Sequence, residues 1–93
     1  MTAYLKCGRA EEMLNAYFIS FKAIEGQTEV CNPCLINKEN YVDEKNSGLA
    51  RITILNSQDD RALIQIEIDD LRSETRNYDI KKFYVSKESI IEK

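Results

Sequence analysis

The sequence predicts an α+β fold, in which an antiparallel β-sheet of three to four strands packs against one main N-terminal α-helix. Two patterns predict it. From Ala10 to Ile24 apolar residues recur at steps of three and four. From Ala50 to Ile68 two runs alternate apolar and polar residues about a polar turn. A length of 93 residues adds a third constraint, because it suffices for one modest core in a single domain spanning 1–93.

The helix is expected over Arg9 to Glu25. Ala10, Met13, Leu14, Tyr17, Phe18, Phe21 and Ile24 fill an arc of roughly 140° on a helical wheel. Glu11 and Glu12 would sit in the first turn, where the helix dipole favours anions. Lys22 would lie in the last turn, with Gly26 as the stop. Ser, Thr, Asp and Asn are missing from the N-cap position. One residue does not fit. Ile19 points away from the apolar arc, and as an exposed isoleucine it becomes a candidate contact for a protein partner or a second copy in a homodimer. The run Tyr17-Phe18-Ile19-Ser20-Phe21 is also rich in strand formers, but the helical period running back to Ala10 favours helix.

Residues 27–48 carry weaker signals. Thr28 to Val30 reads as a short strand leading into Cys31-Asn32-Pro33-Cys34, where Pro33 stops any helix arriving from upstream. Leu35-Ile36 and Tyr41-Val42 are short apolar anchors, and Asp43 to Gly48 reads as a turn. The hairpin follows. Folding about Gln58 sets Ile54 against Ala62, Ile52 against Ile64 and Ala50 against Ile66, with all six on one face. Asp69 to Asp79 is a polar connection anchored by Leu71 and Tyr78. Phe83-Tyr84-Val85 forms a third strand, and Ser89 to Glu92 forms a fourth strand or a short terminal helix.

The chemistry-bearing residues are few. The chain has three cysteines, no histidine and one proline. Without histidine there is no Ser-His or Cys-His pair and the commonest general base is missing, so the protein is expected not to be an enzyme. Glycines at 8, 26 and 48 form no phosphate-binding loop. The Cys31/Cys34 pair allows three roles. With Cys7 it supplies three thiolates for zinc, a fourth ligand coming from a carboxylate, water or another chain. As Cys-x-Pro-Cys it resembles the active-site tetrapeptide of the thioredoxin family, which implies a redox dithiol. That resemblance covers four residues, and the chain departs from the family's pattern in having Val30 before the motif and no second proline. The third role is structural, as small semi-buried thiols beside a turn. No cofactor is expected beyond zinc.

The net charge of −3 disfavours direct nucleic-acid binding, which calls for a basic face. No apolar run approaches membrane-spanning length. The residues after Met1 turn charged before a signal-peptide core develops, and sparse cysteines fit a reducing compartment, so a cytoplasmic location is expected. Charge is unevenly spread. Asp59, Asp60, Glu67, Asp69, Asp70, Glu74 and Asp79 face only Arg61, Arg72 and Arg76 in that stretch, whereas residues 80–93 are net basic. Asp59, Asp60, Asp69, Asp70 and Glu74 are therefore the candidate docking residues for a protein partner with a basic surface. In size and charge the chain resembles small acidic α+β proteins of bacteria and their mobile elements, including phage-encoded inhibitors. The expected role is protein binding, as an adaptor, an inhibitor or an immunity-type partner.

Overall fold

In the computed structural model, the segment expected to form the main helix is extended. The structure describes residues 1–8, 10–44, 47–70 and 77–93. Nine strands are present among them: β1 (Ala3–Cys7), β2 (Glu11–Glu12), β3 (Ala16–Glu25), β4 (Thr28–Asn37), β5 (Tyr41–Glu44), β6 (Ser47–Ser57), β7 (Arg61–Asp70), β8 (Asn77–Ser86) and β9 (Ile90–Glu92). Their only helical elements are single 3₁₀ turns at Lys38–Asn40 and Lys87–Ser89. The α+β expectation is thus corrected to an all-β fold. Glu74 and Leu71 lie outside the described residues, as does Arg9 at the start of the expected helix.

The helix fails for a reason visible in β3. Ile19, Phe21 and Ala23 are buried at alternate positions, the period of a strand. Phe18 and Ile24 lie on the opposite face, so apolar residues on both faces imitate a helical stripe. Ile19, the misfit of the helix, is 1% exposed and sits in the core. Gly26 is no helix stop. It has φ of 64° in the two-residue turn between the paired Glu25 and Thr28, a conformation costly for residues with a Cβ.

The sheet is antiparallel, in the order β2-β3-β8-β7-β6-β1-β9, with β4 along β3 and β5 beside β6. It curls until β1 reaches β3, where Gly8 N donates to Ser20 O at 3.2 Å. The two ends of the chain meet as Thr2 N donates to Lys93 O and Lys93 N to Thr2 O, at 2.9 and 3.0 Å. Lys93 also pairs with Glu44.

The hairpin exists, with a shifted register. Ile54 faces Ile64 rather than Ala62, and Thr53 faces Gln65. A bulge between Ile54 and Asn56 absorbs one residue, and the shift at Ile54 is two residues, which leaves each side chain on its expected face. Ile52, Ile64 and Ile66 are buried accordingly, and Ile54 packs against them. They are covered by inward residues of the curled sheet, including Leu5, Ile19, Ile36 and Val85. Phe21 meets Phe83 edge-on at 5.2 Å. Leu14 and Phe18, on the apolar arc of the expected helix, are 89% and 40% exposed. Phe83-Tyr84-Val85 belongs to β8, and the C-terminal segment is a 3₁₀ turn followed by β9.

Candidate protein-docking surface

Three turns converge at one end of the sheet: Gly26-Gln27 between β3 and β4, Gln58 to Asp60 between β6 and β7, and the 3₁₀ turn Lys87–Ser89. Backbone bonds fix them. Gln58 N donates to Arg61 O at 2.8 Å, and Lys87 N to Asp60 O at 3.2 Å. The Arg61 side chain reaches across, with Nη1 donating to Gly26 O at 2.9 Å. Serine starts the 3₁₀ turn well because Ser86 Oγ accepts from Glu88 N.

An open groove runs between these turns. Its walls include the carboxylates Glu29, Asp59, Asp60 and Glu88, against the cations Arg61 and Lys87. Arg61 is partly committed, to Gly26 O and to Asp60 at 3.5 Å. The Asp60 side chain is 80% exposed, so that ion pair is weak and the carboxylate stays open to solvent. Asp59 is exposed as well. The result is a fixed acidic rim on an ordered backbone.

The candidate acids from the sequence do not share one surface. Asp59 and Asp60 sit at the start of β7, while Asp69 and Asp70 close its far end, paired with Tyr78 and Asn77. Ten residues of extended chain place the two pairs roughly 30 Å apart. Glu29 and Glu88 join Asp59 and Asp60 instead. They are distant in sequence from that pair, and only the convergence of turns unites them. Ile19 is buried, so the outer helical contact expected of it, for a partner or a second copy, is corrected.

The thiols separate too. The tetrapeptide lies inside β4, not at a helix start. Cys31 and Cys34 are three residues apart on a strand, which puts them on opposite faces. Cys31 is exposed, opposite Lys22, with its Sγ 2.7 Å from Ser20 Oγ. Cys34 pairs with Ile19 and packs against the core, near buried Cys7. Burial pushes Cys7 up to about 11. Burial also pushes Cys34 up to about 11, and the neighbouring Cys7 adds to the rise. Cys7 in the core and Cys34 half-buried against it are therefore protonated, the opposite of an activated thiolate. Among the described residues, no three His, Cys, Asp or Glu side chains gather where they could hold a metal ion. For zinc to be held by Cys7, Cys31 and Cys34, Cys31 would have to cross to the inner face of β4.

No family model, curated protein or solved structure matches this chain. Among the described residues, no helix is long and apolar enough to cross a membrane.

Proposed function

We propose that this chain is a small, acidic, non-enzymatic binding protein, an adaptor, inhibitor or immunity-type partner, that docks its acidic rim on a basic protein surface. The supporting observation is the convergence of Glu29, Asp59, Asp60 and Glu88 around one groove whose backbone is held by Arg61. Exposed carboxylates on an ordered frame suit long-range attraction of a cationic partner at little cost in ordering.

Affinity capture from the native host supplies the partner, and kinetics then test the surface. Reversing Asp59 and Asp60 to lysine is expected to slow association by about tenfold or more at low salt. The melting temperature should hardly move, because exposed turn charges contribute little to stability. Wild-type association should slow as salt shortens the Debye length. Reversing Asp69 and Asp70 is the control, and its effect should be smaller because that end of β7 lies away from the rim. Equal on-rates for the wild type and the Asp59/Asp60 reversal would sink the proposal.

A further inference from the structure

Among the described residues, a long strand edge without a strand partner runs along β4. One edge of this ten-residue strand is bonded to β3 throughout. Among the described residues no strand pairs with the other edge. Such an edge is a template for pairing with a second chain.

The hydrogen bonds of β3 show which β4 groups face outward. Ser20 O accepts from Gly8 N, and Ala16 O accepts from Met13 N at 2.8 Å, both on the side away from β4. The two groups of one strand residue point the same way, and opposite residues in an antiparallel pair alternate between bonded and non-bonded. Odd-numbered residues of β3 therefore bond even-numbered residues of β4. Pro33 stands opposite Ser20, in a non-bonded pair. Its ring nitrogen faces the open edge, between the outward amides of Cys31 and Leu35.

We infer that Pro33 keeps the open edge of β4 from pairing with β4 of a second copy. In an antiparallel self-pairing related by a two-fold axis, each copy brings its own proline. In any register that overlaps Pro33, two inter-chain hydrogen bonds disappear, one from each copy, and each ring presses on the carbonyl that would have accepted. The edge is also interrupted near its middle, so only short bonded runs remain on either side.

Light scattering on the wild type and on Pro33→Val tests this across a range of concentrations. Reductant is present throughout, so the exposed Cys31 cannot cross-link. The wild type should remain monomeric. The valine variant should dimerise or oligomerise, with an association constant raised about tenfold or more by two restored hydrogen bonds. Amide exchange in the associated variant should slow at Cys31 and Leu35, the outward-facing positions. Pro33→Ala carries the same test if the valine variant does not fold. Three results would overturn the inference: a variant no more associated than the wild type, association that leaves those amides unprotected, or a wild type already paired through this edge. Loss of fold in both variants would assign Pro33 to the fold itself and overturn it equally.

Discussion

Two residues at the same spacing as a redox or metal pair can be chemically unrelated, and Cys31 and Cys34 are such a case. Strand geometry sends one to solvent and the other to the core. Native protein treated with an alkylating agent should be modified at Cys31 alone, with Cys7 and Cys34 reacting only after denaturation. Mass spectrometry of the labelled peptides reads this, and rapid native labelling of all three would contradict the burial described. Buried Cys7 and half-buried Cys34 also shape the alkaline limb of stability. Cys7 and Cys34 keep their protons to about pH 11 when folded and would ionise near 9.0 when exposed by unfolding. Between those values the unfolded chain binds fewer protons, so stability falls as pH rises. The full two-unit difference at Cys7 corresponds to roughly 2–3 kcal/mol. Denaturant titrations from pH 8 to 11 should show a shallower loss in Cys7→Ala than in the wild type. Gly48 is another residue whose role only packing reveals. A Cβ there would lie 2.5 Å from the Tyr41 ring, which stacks on Tyr17 at 4.2 Å.

At the scale of the element, β3 separates two opposite expectations. Were residues 9–25 a helix, Leu14 would be core and Ile19 would be surface. In β3 and the segment before it the assignment is reversed. Ile19→Asp places a charge among Leu5, Ile36 and Ile64, and should abolish folding or cost several kcal/mol. Leu14→Asp, at 89% exposure, should change stability by less than about 0.5 kcal/mol. Ile64→Ala should cost about 2–5 kcal/mol, as deletion from a packed core does. Chemical denaturation of the three variants decides the matter, and a destabilised Leu14→Asp beside an intact Ile19→Asp would restore the helix. The hairpin of β6 and β7 was legible because one of its faces is apolar and the other polar. Its register was less so, since the bulge at Leu55 leaves no mark in an alternating pattern.

For the whole molecule, the curl of the sheet makes distant segments depend on one another. β1 pairs with β6 on one edge and β9 on the other, so its second edge is covered only when the last strand is in place. Removing residues 90–93 takes away the Thr2–Lys93 bonds and uncovers the edge of β1. The truncated chain should unfold at lower denaturant concentration, and amide exchange should accelerate first in β1. Unchanged exchange in β1 would mean that β9 is an ornament of the sheet, not part of its closure. By itself the sequence determined the faces of the hairpin, the polar turn carrying Asp59 and Asp60, and the charge imbalance. These depend on local pattern, which neighbours along the chain settle. The tertiary structure alone decided that β3 is a strand, because a segment apolar on both faces satisfies either period until pairing with β4 and β8 selects one. It alone brought Glu29 and Glu88 to Asp59 and Asp60, parted Cys31 from Cys34 and turned Pro33 toward an open edge. Each of these depends on which strands lie side by side, and that is set by burial of the common core, a property no short stretch of sequence contains.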